Sequence, residues 1–367
     1  MNYYKKLFLL IPLVFICTGC LQSSEKESNQ NISKELITPT PFTYEEPKFK
    51  PSIPPLKKQT IQKLKVAFLA DQGINENAKR VLQLIKDENT DMVIHAGDFG
   101  YGGILRERSI GTALNWNSQI SEILGSNFPY FGAIGNHDEG NWSTYQKLLQ
   151  DRVDHNIEAI CIGNLGIQSS CEYKGLFFVL SGVGEFGNNH DTYIKNELQK
   201  NNSIWQICTW HKNQRAMQIG GKKDAIGWEA YEECRKGGAI IATGHEHTYS
   251  RTKTLVSTEK QTVHTEWSEP NVIRVAKETE NQNGSTFVFV SGIAGQSIQE
   301  QERCKPINYP YGCNNEWAKI YTSDQNASPG ALFITFHVDD DPTKAHGYFK
   351  NIDNEIIDEF IIYNFNE

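Results

Sequence analysis

The sequence predicts an α/β protein with four layers, α/β/β/α, in which two packed β-sheets are flanked by helices. Short apolar runs that suit buried strands alternate with helix-period segments between residues 64 and 242. Nearly every run ends in a cluster of Gly, Asp, Asn or His, which is where open α/β sheets place their functional groups. After about residue 250, strand-like runs follow with loops between them, and they predict the second sheet.

The elements can be placed in order along the chain. Residues 64–70 read as a buried strand, and Ala78, Val81, Leu82 and Ile85 then share one face of a helix. Further strands are expected at residues 92–94, 129–134, 176–180, 204–209, 239–242, 287–290, 331–336 and 355–363, and further helices at 110–124 and 225–235. No linker-like segment separates the two halves, so residues 61–367 are interpreted as one catalytic domain.

The beginning of the chain has the pattern of an export signal. A basic start precedes an apolar run at residues 7–16, and this run leads into Cys-Thr-Gly-Cys at residues 17–20. A small-residue pair before a cysteine resembles the lipobox of secreted lipoproteins, with Cys20 as the lipidated residue, although Cys17 stands where Leu is usual. Residues 1–20 are therefore interpreted as a lipoprotein-type signal peptide, and an ordinary signal peptide is the alternative.

Residues 21–60 are rich in Ser, Glu, Asn, Pro and Lys, and we expect a disordered tether there. A lipid on Cys20 would hold the protein at the outer face of the cell membrane without a spanning segment. The net charge of -8 and the lack of a long basic run argue against nucleic acid as a partner. The sequence leaves the oligomeric state open.

Six further cysteines are expected to form disulfides, because an exported protein meets an oxidising compartment. They are Cys161, Cys171, Cys208, Cys234, Cys304 and Cys313. The first two and the last two are close in sequence, which suits disulfides that each close a short loop. The middle two end a predicted strand and the helix that follows it, and they are a third candidate pair. The sequence alone leaves the connectivity open.

Five short polar blocks contain seven residues that suit a site for two metal ions. These residues are Asp71, Asp98, Tyr101, Asn136, His211, His245 and His247. Two ions about 3.5–4 Å apart can clamp a phosphoryl group, and such a site needs one oxygen ligand that bridges them. Hard oxygens and neutral imidazoles then complete the ligand set of each ion.

Asp98 is the candidate for the bridging carboxylate, because Gly97 before it permits a tight turn at the end of a strand. Asp71 suits one ion, and Asn136 and His211 suit the other. The remaining two histidines, in the sequence Gly-His-Glu-His at residues 244–247, share one face of an extended segment and can each reach a different ion.

These blocks resemble those of the calcineurin-like metallophosphoesterases, and within that superfamily they look most like the purple acid phosphatases. Tyr101 stands three residues after Asp98, where that group carries a metal-bound tyrosine, and Gly73 stands where many other members carry a histidine. Residues 244–251 are a particularly close match. The resemblance covers roughly residues 64–365 and implies the four-layer sandwich of that superfamily.

The resemblance also implies a ligand assignment and catalytic roles. One ion, of the Fe(III) type, would be held by Asp71, Tyr101 and His247, and a divalent ion (Fe, Zn or Mn) by Asn136, His211 and His245, with Asp98 between them. His137 resembles the histidine that contacts the phosphate and protonates the leaving group, and Asp138 is expected to orient its imidazole. The expected substrate contacts are Asn136, His137 and Arg251, with Lys212, Lys222 and Lys223 as further candidates.

The function implied is that of an acid-phosphatase-like phosphomonoesterase, in which a metal-bound hydroxide attacks a small phosphate ester. A phosphodiesterase acting on nucleotides or lipid head groups is the alternative, and a non-catalytic binding module is a third hypothesis. His211 is followed by Lys-Asn-Gln-Arg, where purple acid phosphatases often carry further histidines, so the pocket and the pH optimum stay open. His95, His155, His264, His337 and His346 are expected to be structural or exposed, and His190 to lie before a helix.

Overall fold

The computed structural model describes residues 62–101 and 110–366. The predicted signal peptide, the lipidation site at Cys20 and the tether up to residue 60 lie outside the described residues. Within them, two large mixed sheets combine with helices, which confirms the predicted fold class. Among the described residues, no helix has the length and apolar character needed to cross a membrane.

The strands and helices of the described ranges follow the predicted alternation in the first half of the chain. The strands are β1 (Leu64–Leu69), β2 (Met92–His95), β3 (Tyr130–Gly132), β4 (Ala159–Asn164), β5 (Gln168–Tyr173), β6 (Leu176–Ser181), β7 (Gln206–Thr209), β8 (Ile240–Thr243), β9 (Tyr249–Thr252), β10 (Leu255–Ser257), β11 (Thr262–Val263), β12 (Val272–Val275), β13 (Val288–Ser291), β14 (Trp317–Tyr321), β15 (Gly330–Phe336), β16 (Lys344–Asn351) and β17 (Ile356–Asn364). The α-helices are α1 (Glu76–Asp87), α2 (Ile110–Ile123), α3 (Trp142–Asp154), α4 (His190–Lys200) and α5 (Glu229–Lys236). Short 3-10 turns lie at Glu139–Asn141, Arg215–Met217, Ser323–Gln325 and Val338–Asp340.

The first large sheet has the strand order β12-β17-β16-β15-β1-β2-β3, and the second has the order β14-β9-β13-β8-β7-β6-β5-β4. In the first sheet β1, β2 and β3 run parallel, and in the second β6, β7, β8 and β13 run parallel. Strands β10 and β11 form a small separate ribbon. Parallel neighbours bring the loops after their carboxyl ends to the same edge of a sheet.

Alternation along the strands creates the layers. Phe178 on β6 faces the other sheet, where its ring centroid lies 4.9 Å from that of Phe131 on β3. Its neighbours Phe177 and Val179 point the opposite way and pack in one cluster with residues of α4 and α5. The rings of Phe68 on β1 and Phe289 on β13 meet edge to face at 5.3 Å. The sheets therefore share an aromatic-rich core, and α4 and α5 cover the outer face of the second sheet.

Helix α1 shows why the predicted periodicity was informative. Its four predicted apolar residues are fully buried, and its contacts are with β15 and α2. The side-chain oxygen of Asn75 accepts a hydrogen bond from the Ala78 amide at 3.0 Å, which caps the first turn. This helix follows the loop that begins with Asp71, so its cap also fixes one side of the candidate site.

Three disulfides lie within the described ranges, and each joins one of the candidate pairs. They are Cys161–Cys171, Cys208–Cys234 and Cys304–Cys313. The first links β4 to β5, the second links β7 to α5, and the third closes a loop before β14. These bridges suit an extracytoplasmic protein.

Candidate metal centre

The seven candidate ligands follow the carboxyl ends of strands from both sheets. Asp71, Asp98 and Asn136 come from the loops after the parallel strands β1, β2 and β3. His211 follows β7, and the remaining two histidines lie in the loop between β8 and β9. Because the sheets pack face to face, these loops meet at one edge of the sandwich.

Tight turns aim the side chains inward. Asp71 and Asp98 have φ angles of 57° and 60°, and His245 has a φ angle of 70°. These left-handed conformations are uncommon outside glycine, and they turn each side chain sharply away from its strand. At Gly97 a Cβ atom would lie 2.8 Å from the Gly135 amide nitrogen, so only glycine allows the two loops to approach so closely.

The Tyr101 hydroxyl group lies at the centre of one half of the cluster. Its oxygen lies within hydrogen-bonding distance of both Asp71 Oδ1, at 2.7 Å, and Asp98 Oδ2, at 2.8 Å, and its one hydrogen can be donated to either. It also lies 3.3 Å from His247 Nε2. His247 Nε2 is also 3.3 Å from Asp71 Oδ1. Burial and the two carboxylates raise the pKa of Tyr101 well above its usual value.

His211 and His245 form the other half of the cluster. His211 Nε2 lies 3.1 Å from Asp98 Oδ2 and 3.2 Å from His245 Nδ1. The ligand atoms of these three residues all lie within 4.8 Å of one another. The main-chain amide of His245 donates to Asp71 Oδ2 at 2.8 Å, which ties the two halves together.

Main-chain carbonyl groups orient two of the histidines. His211 Nδ1 lies 2.8 Å from the carbonyl oxygen of Ala96, and His247 Nδ1 lies 3.1 Å from that of Ser297. When Nδ1 donates to these carbonyls, Nε2 of each ring carries its lone pair toward the carboxylates. Metal-binding histidines are oriented in this way, by a hydrogen bond from the other ring nitrogen.

Asn136 provides the test of whether the residues fit metal ions. Its side-chain oxygen is buried and has no hydrogen-bond partner within the described part of the chain. A buried amide oxygen left without a partner is costly, and a cation would satisfy it. Carboxylate, phenol and amide oxygens together with imidazoles are the donors that iron, manganese and zinc accept, so the residues fit two such ions.

The pKa values of the cluster also favour the binding of cations. Burial opposes ionisation of Asp71, but His247 and His211 outweigh it and hold the pKa of this carboxyl group well below its usual value. Burial also opposes protonation of His211, yet the carboxylates, Asp98 foremost, raise its pKa to about 9. Burial and the neighbouring His211 lower the pKa of His245 to about 3. The excess of negative charge that draws a proton to His211 would equally draw cations.

His137 stands on the solvent side of the cluster. Its amide donates to Asp98 Oδ1 at 2.8 Å, and its ring centroid lies 4.4 Å from that of Tyr101. The side chain is 33% exposed, with Nε2 3.9 Å from Asp98 Oδ2. The imidazole therefore borders both the cluster and the solvent from which a substrate would come.

Asp138 binds main-chain amides and does not orient the His137 ring, as was expected of it. It is fully buried, and its Oδ2 accepts hydrogen bonds from the amides of Asp98 at 2.8 Å and Gly135 at 2.9 Å. Its Oδ1 accepts from the amide of Phe99 at 2.9 Å. Burial and the nearby Asp98 carboxylate raise the pKa of this group, and the amide donors act in the opposite direction. The carboxylate therefore binds main-chain amides, and the expectation that it orients the His137 imidazole is corrected.

The prediction that Arg251 contacts substrate is wrong. The side chain is 1% exposed and forms a two-pronged ion pair with Asp358, with Nε to Oδ2 at 2.7 Å and Nη2 to Oδ1 at 2.9 Å. Its guanidinium group lies 3.9 Å from the ring centroid of Phe360. The side chain points into the sandwich, because alternation along β9 turns it toward β17 of the other sheet.

Two of the three lysines expected near phosphate, Lys212 and Lys222, have other partners. Lys212 Nζ donates to Glu185 Oε2 at 2.9 Å and to the Gly184 carbonyl at 3.1 Å. Lys222 Nζ donates to the carbonyl of His245, so it supports a candidate ligand loop. Burial raises the pKa of Glu185 to about 7, although Lys212 acts against this shift.

Sequence reasoning missed Gln296, which fills the space beside Gly73. A Cβ atom at Gly73 would lie 2.4 Å from Gln296 Nε2 and 3.7 Å from the Tyr101 ring. The position where other superfamily members carry histidine is thus occupied from the loop after β13. No local pattern in the sequence indicates this contact, because Gln296 lies in an irregular segment far along the chain.

Two histidines outside the cluster have structural surroundings. His95 is fully buried, and its ring lies 4.5 Å from that of Phe99, in agreement with the structural role expected for it. His190 begins α4, where its Nε2 lies 2.8 Å from the Phe186 carbonyl and its Nδ1 3.0 Å from Ser181 Oγ. It therefore secures the loop before the helix.

Comparisons with known proteins agree with this fold. The family model of calcineurin-like phosphoesterases matches residues 64–249, while no curated protein matches the chain. The solved structure of GAP50, the anchor in the inner membrane complex of Plasmodium, aligns with a TM-score of 0.53 at 13% identity, over 83% of this chain and 90% of that one. PhoD aligns with a TM-score of 0.50 at 11% identity, over 78% of this chain and 65% of that one. At these identities the two structures show a shared fold only. The family match covers half of the chain, which therefore belongs to the calcineurin-like phosphoesterase family.

Proposed function

We propose that this protein is a dinuclear metal-dependent phosphomonoesterase of the acid phosphatase type. The observation that carries the proposal is the close approach of six candidate ligands from four loops, which are Asp71, Asp98, Tyr101, His211, His245 and His247. The side-chain oxygen of the seventh candidate, Asn136, is buried and has no partner among the described residues, which supports its role as a ligand. Membership of the phosphoesterase family supports two ions and a small phosphate ester as substrate.

The distances support a division of the ligands between two ions. Tyr101, Asp71 and His247 approach one another within 2.7–3.3 Å, and they would hold one ion. His211 and His245, together with Asn136, would hold the other. In a cluster of this kind a residue shared by both groups is needed to bridge the ions.

Asp98 is the proposed bridge, because one oxygen atom faces both groups. Its Oδ2 lies 2.8 Å from the Tyr101 hydroxyl oxygen and 3.1 Å from His211 Nε2. Its other oxygen accepts from the His137 amide at 2.8 Å, which fixes the plane of the carboxylate. This arrangement supports placing Oδ2 between the ions.

Two bound ions would supply the Lewis acidity that polarises a phosphate ester and activates water. The chain itself would contribute His137, whose imidazole borders the solvent and can give a proton to the leaving oxygen. Arg251 is buried in an ion pair and Lys212 is paired with Glu185, so neither is placed to neutralise the phosphate. The proposal therefore assigns charge neutralisation to the ions.

A ferric ion beside a divalent ion is the proposed metal pair. The Tyr101 oxygen supports this choice, because a phenolate is a hard, anionic donor that favours a trivalent cation. The three disulfides support an extracytoplasmic location, and we further propose tethering through a lipid on Cys20. Incorporation of radiolabelled fatty acid into the wild type, with none into Cys20→Ser, would be the expected result; equal labelling would refute the anchor.

The test of the activity compares p-nitrophenyl phosphate with bis-p-nitrophenyl phosphate across pH, after reconstitution of the full-length protein with iron, manganese or zinc. The proposal predicts faster monoester turnover below neutral pH, best with iron. A preference for the diester, or an alkaline optimum with manganese, would favour a phosphodiesterase. Asp98→Asn should abolish turnover, while Asp339→Asn, at an exposed aspartate, is the matched control.

A further inference from the structure

Asp138 connects the two loops that carry the proposed bridging ligand and the amide ligand. One loop follows β2 and contains Asp98, and the other follows β3 and contains Asn136. The single oxygen Oδ2 of Asp138 accepts from the Asp98 amide at 2.8 Å and from the Gly135 amide at 2.9 Å. Hydrogen bonds from amides to a carboxylate are among the stronger ones in proteins.

The connection is reciprocal. The Asp98 carboxylate accepts from the amide of His137 at 2.8 Å, so each loop places an aspartate on the main chain of the other. Oδ1 of Asp138 adds the Phe99 amide at 2.9 Å, directly after the bridging candidate. Three hydrogen bonds therefore join the two loops without using Asp98 Oδ2. A fourth, from the Gly135 amide to Asp138, lies within the loop after β3.

The loops are also closer than side chains would permit. A Cβ atom at Gly135 would lie 2.2 Å from both the Asp98 amide nitrogen and Asp98 Oδ1. This close approach buries main-chain N–H groups of both loops. The buried carboxylate of Asp138 supplies the oxygen atoms that accept their hydrogen bonds. Without it, two amides of one loop and one of the other would be buried and unpaired.

We infer that Asp138 is the positioning residue that locks the Asp98 loop to the Asn136 loop, and so sets the affinity of the site for its second metal ion. This inference rests on the proposed dinuclear site. Asn136 and Asp98 can hold the same ion only while their loops keep one relative position. Asp71 and His247 come from other loops, and Tyr101 meets the β3 loop through the ring of His137, so we expect the first ion to be affected less.

The decisive variant is Asp138→Asn, which keeps the size of the side chain but offers one acceptor oxygen. The side-chain NH2 group of the new asparagine would face at least one main-chain N–H group, which would then lack an acceptor. Loss of a residue that orients ligands lowers metal affinity by about 10–100-fold. We therefore expect Asp138→Asn to bind one Mn²⁺ nearly normally and a second about 10–100-fold more weakly.

The matched control is Asp358→Asn. Asp358 is also a buried carboxylate with several hydrogen bonds, but its partners are Arg251 and Tyr249, away from the candidate ligands. It should lower thermal stability while leaving both Mn²⁺ affinities unchanged. A role of Asp138 in stability alone predicts the same behaviour for the two variants.

The experiment is calorimetric titration of the full-length metal-free proteins with Mn²⁺, together with electron paramagnetic resonance of the loaded forms to detect coupling between two ions. The inference expects two coupled ions in the wild type and Asp358→Asn, and loss of coupling in Asp138→Asn at equal Mn²⁺. Wild-type affinities and coupling in Asp138→Asn would overturn the inference alone. A wild type that binds fewer than two ions would overturn the proposed function with it.

Should Asp138→Asn fail to fold, Gly135→Ala tests whether binding of the second ion depends on the close contact between the two loops. Its methyl group forces the same loops apart with the Asp138 carboxylate intact. The inference predicts selective weakening of the second Mn²⁺ ion in this variant too, and unchanged binding of both ions would contradict it.

Discussion

Replacing Arg251 with Met is expected to damage stability and spare substrate binding. The change removes both hydrogen bonds of the bidentate ion pair with Asp358 and the contact with the ring of Phe360. Asp358 would remain buried with the Tyr249 hydroxyl group, 2.6 Å away, as its remaining side-chain partner among these residues. The sequence motif places this arginine four residues after His247, so the prediction separates a structural role from a role in the site.

The size of the effect follows from the geometry. Removing one partner of a fully buried, hydrogen-bonded pair costs about 3–5 kcal/mol in the free energy of unfolding. In a domain of this size each kcal/mol lowers the melting temperature by about 2–3 °C, so a decrease of about 6–15 °C is expected. The double variant Arg251→Met, Asp358→Leu should recover part of this loss, because it no longer buries an unpaired charge.

The assay combines thermal unfolding, followed by circular dichroism, with KM for p-nitrophenyl phosphate at a temperature where all variants are folded. We expect a lower melting temperature and a KM within about two-fold of the wild type, since removed contacts that do not touch substrate leave binding unchanged. A tenfold higher KM with an unchanged melting temperature would refute this reasoning and return Arg251 to the substrate site.

Three further perturbations have defined outcomes. Tyr101→Phe should lower retention of Fe³⁺ more than that of Mn²⁺ in elemental analysis, because it removes the oxygen that would bind the ferric ion as a phenolate; equal loss of both would argue against ligation. Glu185 holds its proton more tightly when folded, with a pKa of about 7 against 4.5 for the free group, so its contribution to stability is present below pH 4.5 and lost as pH rises to about 7. The stability of the wild type relative to Glu185→Gln should therefore fall over that range, and parallel curves would contradict the shift. Replacing Cys208 and Cys234 by Ser, which opens a loop with a sequence separation of 26, should lower the free energy of unfolding by about 3–4 kcal/mol in urea titrations; an unchanged midpoint would show that this bridge is dispensable.

The strands that position the site could be predicted because their signals are local. An apolar run followed by Asp, Asn or His marks β1, β2, β3, β7 and β8, and each was expected within a few residues of its observed bounds. Each candidate ligand lies in the turn directly after such a run. Convergence of the ligands then follows from parallel pairing and the packing of the two sheets.

Other elements were missed for identifiable reasons. The predicted helices do not include α3, although Trp142, Tyr145, Leu149 and Val153 carry a helical spacing and are buried. The β4–β5 hairpin is hidden because Ile160 and its neighbour Ile162 are exposed, while the alternate cysteine forms the disulfide. The apolar side chains lie on the exposed face of the strand, so a prediction from hydrophobicity buries the wrong face.

Side-chain direction was the part of the site that sequence could not supply. Arg251 was expected at the substrate because it follows a close motif match, but its direction depends on strand alternation and on an aspartate 107 residues away. Asp138 was expected beside the His137 ring, yet its acceptors are used by amides of two loops. In both cases a partner distant in sequence decides the role.

One cluster of side chains is proposed to hold two metal ions, with Asp98 as the ligand that they share. The most direct measurement is the number of ions bound per chain, by elemental analysis of the full-length protein after loading with iron and zinc and removal of free metal. The account predicts two ions in the wild type, and the loss of at least one in Asp98→Asn while the protein stays folded. A single ion in the wild type, or two ions retained without Asp98, would contradict it.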